Sequence, residues 1–356
     1  MQNAVRQLWL GLVCSSALLA QNTPPGTKVI ASTVPANGDV NPYGIAIVPV
    51  SVGDLTAGNI LVSNFNNSSN LQGTGTTIVQ ITPRGTQSLF AQIDAATLPG
   101  ACPGGIGLTT ALAVLPSGWV VVGSLPTTDG TSATAEAGCL LVLDAKGNVV
   151  ETIANSSING PWDMTAIQLG DDAFLFVTNV LNGTLAGGGS VVNEGTVVRI
   201  GLELHSDAPP TVQSMVTIGS GFVERTDPNA LVIGPTGLGL SLDGTLYVAD
   251  SLNNRIAAIP DALRTQSSAG TGTTIKEGRF LNDPLGLAID FSGDILTVNG
   301  NNGLLVITTA RGDSLGAALL DSSGTPPGSG ALFGLAVSPF GIYYVDDATN
   351  TLNIFL

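Results

Sequence analysis

Six stretches of the chain repeat one pattern: an apolar run, a turn usually containing Gly or Asp, and a second apolar run. The sharpest reads GPTGLGLSLDGTLYVADSLNNRI, from Gly234 to Ile256. PLGLAIDFSGDILTVNGNNGLLVI follows from Pro284 and LFGLAVSPFGIYYVDDATNTLNIF from Leu332. Upstream lie NPYGIAIVP from Asn41 with NILVSNFNN from Asn59, TTALAVLPSGWVVVGS from Thr109 and GPWDMTAIQLGDDAFLFVTN from Gly160. The aligned positions are Gly44, Ala111, Asp163, Gly237, Gly286 and Gly334, spaced by 67, 52, 74, 49 and 48 residues. A unit of this size cannot bury its apolar runs alone, so neighbouring units must stack on one another.

Each unit holds further strand candidates. TTIVQITP and TQSLFAQ follow the first hairpin, CLLVLDA and NVVETI the second, TVVRIGL and VQSMVTIG the third, RIAAIPD and TTIKEG the fourth. Short runs rich in Val, Ile and Thr between turn residues are strands, and no long segment of helical period competes with them. Four short antiparallel strands per repeat predict an all-β, six-bladed β-propeller. The last unit supplies three strands before Leu356, and TKVIASTV, from Thr27 to Val34, is a spare fourth. Pairing it with the final strands closes the ring and removes an exposed edge.

The chain opens with Arg6, then an apolar run from Leu8 to Ala20 too short to span a bilayer, then a polar segment containing proline. This predicts a cleaved signal peptide over residues 1–20, one propeller domain over residues 21–356, and a secreted or periplasmic monomer. Without Arg6 the chain keeps 10 basic against 26 acidic residues, net −16. That charge repels nucleic acid and anionic membrane surfaces. Cys102 and Cys139 remain after processing, and an even count in an exported chain predicts a disulfide.

GPTGLGLSLDGTLYVADSLNNRI resembles the NHL repeat, and the units at Gly286 and Gly334 are weaker matches. The resemblance implies an NHL-type propeller, mostly an interaction scaffold. Its wider fold relatives include calcium-dependent lactonases of the SMP-30/gluconolactonase type, strictosidine-synthase-like enzymes and a zinc-dependent lyase.

Two rings of side chains follow from the alignment. The first precedes the Gly-equivalent position: Tyr43, Thr110, Trp162, Thr236, Leu285 and Phe333. Its aromatics either stack on a ligand at the axial mouth or plug the channel. The second ends the second strand: Asn64, Ser124, Asn179, Asp250, Asn299 and Asp347. These side chains either bind a ligand or cation, or tie down the turn that follows. Long polar insertions at 64–76, 124–138 and 179–195 should wall one side of the mouth.

A catalytic set does not emerge. The lactonases hold calcium with acidic or amide side chains just before the Gly of the first strand, where this chain has aromatics, Thr or Leu. Asp163 stands one position further on and alone, a poor start for a calcium shell. His205 is the single histidine, too few for a zinc site of the usual kind. Gly312-Asp313-Ser314-Leu315-Gly316 spells an esterase motif outside that family's strand–helix context. The reading is a non-catalytic propeller that binds a protein, peptide or glycan on the insertion-bearing face, with no cofactor and no metal assigned and calcium left open. The alternatives are a lactonase-like metal-dependent hydrolase and a structural component of an envelope assembly.

Overall fold

The computed structural model describes residue 24, residues 26–228 and residues 230–356. The segment read as a signal peptide lies outside the described residues. Six antiparallel sheets form the blades of a propeller. Blade one holds β2 (Val40–Ile47), β3 (Ile60–Asn66), β4 (Thr77–Ile81) and β5 (Gln87–Gln92). Blade two holds β6 (Leu108–Val114), β7 (Val120–Ser124), β8 (Cys139–Leu143) and β9 (Val149–Ile153). Blade three runs β10 (Pro161–Leu169), β11 (Asp172–Asn179), β12 (Val192–Glu203), β13 (Thr211–Asp227) and β14 (Leu231–Ile233). Blade four is β15 (Pro235–Leu240), β16 (Leu246–Asp250), β17 (Arg255–Ile259) and β18 (Thr273–Glu277). Blade five is β19 (Pro284–Ile289), β20 (Ile295–Asn299), β21 (Leu304–Thr308) and β22 (Ser314–Leu319). Blade six joins β23 (Leu332–Ser338), β24 (Gly341–Asp346) and β25 (Thr351–Phe355) to β1 (Thr27–Ser32). β1 pairs with β25 from Thr27 opposite Phe355 to Ser32 opposite Thr351, so the ring closes as the repeat count requires.

Burial follows from the stacking of sheets on sheets. Every residue of β3, β7, β8, β16 and β17 is buried, because a middle strand has a neighbouring blade on each face. The outer strand β22 alternates half-buried and exposed positions, since one face meets solvent.

The innermost strands share one device. The register of each first strand shifts at the same place: Pro42/Gly44, Leu108/Leu112, Pro161/Met164, Pro235/Leu238, Pro284/Leu287 and Leu332/Leu335. A bulge re-aims the side chains beside it. Just past it the backbones of adjacent blades almost touch. A Cβ at Gly237, Gly286 or Gly334 would collide with the carbonyl oxygen of Leu285, Phe333 or Tyr43 in the next blade. Buried hydroxyls cross the same seams. Ser63 donates to the Thr109 carbonyl at 2.8 Å, Thr178 to that of Thr236 at 2.9 Å, and Thr236 to that of Pro284 at 3.0 Å. This geometry predicts that Gly286→Ala lowers stability by about 1–3 kcal/mol through overpacking. Gly316→Ala, in an outer strand with nothing within 4 Å of the new methyl, should be near neutral. Urea unfolding midpoints of the two variants give the comparison.

Candidate functional site

The bulges turn the first ring of predicted residues into the axis. Tyr43, Trp162 and Phe333 are 2, 3 and 2 % exposed. Tyr43 stacks on Phe333 with ring centroids 3.8 Å apart and on Phe65 at 4.6 Å, and Trp162 lies 6.4 Å from Tyr43 and 6.2 Å from Phe333. Thr110, Thr236 and Leu285, the other members of the ring, are also buried. The structure therefore places the aromatic ring as a plug across the channel.

A roof covers the plug. β13 runs 17 residues, far beyond its partners, and turns back into β14 with Arg225 opposite Ile233 and Asp227 opposite Leu231. Ala230, Leu231, Val232 and Ile233 are buried against the aromatics, and the Trp162 indole donates to the Val232 carbonyl at 3.2 Å. Leu231 adopts φ 65°, unusual for a residue with a branched side chain. The sequence reading took VQSMVTIG as an ordinary outer strand and missed this hairpin. Its signals were the 74-residue spacing from Asp163 to Gly237 and the Asp227-Pro228 turn between two apolar runs.

The insertions of blades one and two bond to each other, and that of blade one also reaches the roof. Thr127 donates through its backbone N–H to the Gly73 carbonyl at 2.9 Å, and Gln72 donates through its side chain to the Pro228 carbonyl at 2.8 Å. Cys102 and Cys139 form a disulfide between the entry loop of blade two and the start of β8. The wall is thus drawn across the mouth, and the open space lies on its other side.

That space is a cavity of about 260 Å³ over blades four and five. Phe333, Leu285 and Ile233 give it an apolar floor, and Arg225, Asp227 and Asp283 supply charge. Arg225 pairs with Asp227 at 2.8 Å. Burial pushes the Asp283 carboxyl up to about 7, with Asp227 adding to the rise and Arg225 opposing it. Nearby, burial and then Asp346 and Asp321 hold Asp347 up at about 8. The Tyr43 hydroxyl, buried without a hydrogen-bond partner, is raised well above its ordinary value by burial and by Asp347 and Asp227. Of the predicted aromatics, Phe333 alone lines this cavity.

The second ring is mostly structural in its contacts. The Asn64 amide donates to the Thr33 carbonyl and to Thr77, and Asn299 donates to the Phe280 carbonyl and to Asn302. Asp250 takes a buried ion pair from Arg255 at 2.6 Å and a hydrogen bond from Asn253. Asn179 is buried with neither end of its amide paired. In blade six the strand ends at Asp346, opposite Leu332, so Asp346 occupies the ring and Asp347 sits one residue beyond it. The two consecutive aspartates made the sequence alignment slip by one.

Asp163 lies below the plug in a channel of about 430 Å³ lined by Ile45, Leu112, Met164, Leu238 and Leu335. It replaces a glycine of the inner ring, and its carboxyl bridges blades: one oxygen accepts from its neighbour Met164 N–H at 2.8 Å, the other from Leu238 N–H of blade four at 3.1 Å. Burial raises it to about 8 against the pull of those two donors. Among the described residues no group of three or more His, Cys, Asp or Glu is placed to hold a metal, and no helix is long and apolar enough to cross a membrane.

No protein-family model matches the chain, and no curated protein matches it by sequence. Solved structures share its fold at low identity. A gluconolactonase from Xanthomonas campestris superposes with a TM-score of 0.54 at 14% identity, covering 89% of this chain and 86% of its own. Regucalcin from Agrobacterium tumefaciens, a calcium-binding protein, gives 0.52 at 14%, covering 92% and 93%. An aldose sugar dehydrogenase from Streptomyces coelicolor, solved with PQQ bound, gives 0.53 at 14%, covering 93% and 99%. The chain is a six-bladed β-propeller with a distant likeness to gluconolactonase-like propellers.

The Asp163 environment makes a pH prediction. A carboxyl raised in the fold keeps its proton while the unfolded chain has lost it, so stability falls as pH rises from about 4 towards 8. Replacing Asp163 with Asn should flatten that fall by up to about 1.4 kcal/mol per pH unit. Urea midpoints of the two proteins at pH 5, 6.5 and 8 measure it; parallel profiles would assign Asp163 an ordinary titration.

Proposed function

We propose that the chain is an exported binding propeller whose site is the cavity beside the Asp227 hairpin, and that its ligand brings a cationic group. One observation carries this reading: an apolar floor is rimmed by Asp227 and Asp283, with Arg225 engaging Asp227. Convergent polar groups over an apolar base are the usual make-up of a small-ligand site. The space suits a single side chain of a basic peptide or one amino-sugar ring. A ligand cation stabilises the ionised form of Asp283, whose burial otherwise favours the proton. The site lies on the predicted face, displaced from the insertions of blades one to three to the regular blades.

The second reading is a lactonase-like hydrolase, supported by the likeness to a gluconolactonase and by carboxyls at the axial mouth. The disulfide supports export, since such bonds persist in oxidising compartments.

Calorimetry with lysine- and arginine-bearing dipeptides, amino sugars and their neutral counterparts tests the proposal. The cationic ligands should bind more tightly as pH rises from 6 to 8, and Asp283→Asn should weaken them ~10–100-fold. Equal binding of neutral counterparts, or indifference to Asp283→Asn, would overturn it. Turnover of a sugar lactone by the purified protein would favour the hydrolase.

A further inference from the structure

Glu224 stands out among the buried acids of the described residues. It is fully buried in β13, and neither carboxyl oxygen has a hydrogen-bond partner. The backbone N–H of Asn182 is directed at it without completing a bond of ordinary geometry. Glu194 stands close by: a Cβ placed on Gly183 would lie 2.7 and 3.2 Å from its two carboxyl oxygens. Both carboxylates therefore border the turn at residues 182 and 183. Neither belongs to an ion pair, for the salt bridges among the described residues are those of Arg225 with Asp227 and Arg255 with Asp250. Burial and then the charge of Glu194 push Glu224 up to about 8.

The surrounding polar groups have oxygens to spare. The turn begins at Asn179, fully buried with both ends of its amide unpaired, and the Asn159 side-chain oxygen is unpaired as well. Asn159 spends its N–H on the Asn182 side-chain oxygen at 2.7 Å, and Asn182 spends its own on the Asn179 carbonyl at 3.2 Å. Val180 and Glu224 meet over Gly234, where an added Cβ would lie 3.2 Å from Val180 Cγ1 and 2.8 Å from Glu224 Cβ. Buried acceptors in excess of donors are a deficit that a cation fills.

We propose that Glu224 and Glu194, with oxygens of the turn over residues 179–183 and bound water, hold one divalent cation of the calcium type inside blade three. Two carboxylates offer up to four oxygens, and amide oxygens and water complete the six to eight that calcium takes. The absence of His and Cys from these residues disfavours zinc and copper. Such an ion would fasten the insertion of blade three to the strand that carries the roof. Arg225, the next residue, lines the mouth cavity, so the ion would also stiffen that wall.

The test uses the full chain freed of metal with a chelator, titrated with calcium and with magnesium by calorimetry and followed by thermal unfolding. One calcium should bind with Kd at or below ~1 mM, more tightly than magnesium, and raise the melting temperature by a few degrees at tenfold excess. Glu224→Gln and Glu194→Gln should each weaken binding ~10-fold or more, and calcium should slow proteolysis between residues 180 and 191. Glu194 is exposed, so its variant decides the matter if the Glu224 variant fails to fold. No saturable binding by about 10 mM, above the weakest affinities of extracellular calcium modules, overturns the proposal. So does calcium binding that both variants leave unchanged.

Discussion

The close approach of the innermost strands around the axis is the contact on which the ring depends. Six first strands bulge at equivalent positions, and immediately beyond the bulge the chain needs glycine where the next blade's carbonyl leaves no room for a Cβ. The bulge aims the preceding residue into the axis, so one local backbone feature sets both the blade spacing and the contents of the channel. Tyr43, Trp162 and Phe333 fill the space this creates. Asp163 shows what happens where the glycine is lost: a side chain occupies the seam and replaces backbone contact with a hydrogen bond to Leu238.

Regularity and irregularity divide the molecule. Blades four to six turn tightly on the mouth side and leave space above Leu285 and Phe333. Blades one to three carry the insertions, and those of blades one and two bond to each other through Thr127 and to the roof through Gln72 and Pro228. The irregular half is the lid support and the regular half holds the cavity.

The sequence made the ring legible because hairpin spacing, turn residues and alternation are local and repeated. The closure of β1 on β25 followed from counting strands. The disulfide followed from two cysteines in a chain that reads as exported. The roof was hidden because β13 and β14 break the repeat, and their meaning depends on contacts with Trp162 some 70 residues away. The cavity was hidden for a related reason: Arg225 and Asp283 fall outside every aligned position and meet only once the ring closes. The slip between Asp346 and Asp347 shows that alignment by residue type fails where two identical residues adjoin, while strand register separates them.

Buried carboxyls connect these observations. Asp163, Glu224, Asp283 and Asp347 sit in four surroundings and all are raised towards neutrality, chiefly by burial. Their compensation differs. Asp163 receives two backbone donors and is suited to holding a seam. Asp283 shares its cavity with Arg225 and has open space before it, the arrangement of a group that meets a ligand. Glu224 has no donor of proper geometry, no counter-charge and another carboxylate beside it. A fold keeps an acid in such a place at a cost of several kcal/mol if it is ionised and alone. The proton or a cation removes that cost. The proton relieves the repulsion from Glu194 by discharging Glu224, whereas a cation does so with both carboxylates ionised, at the point where the insertion meets the strand of the roof.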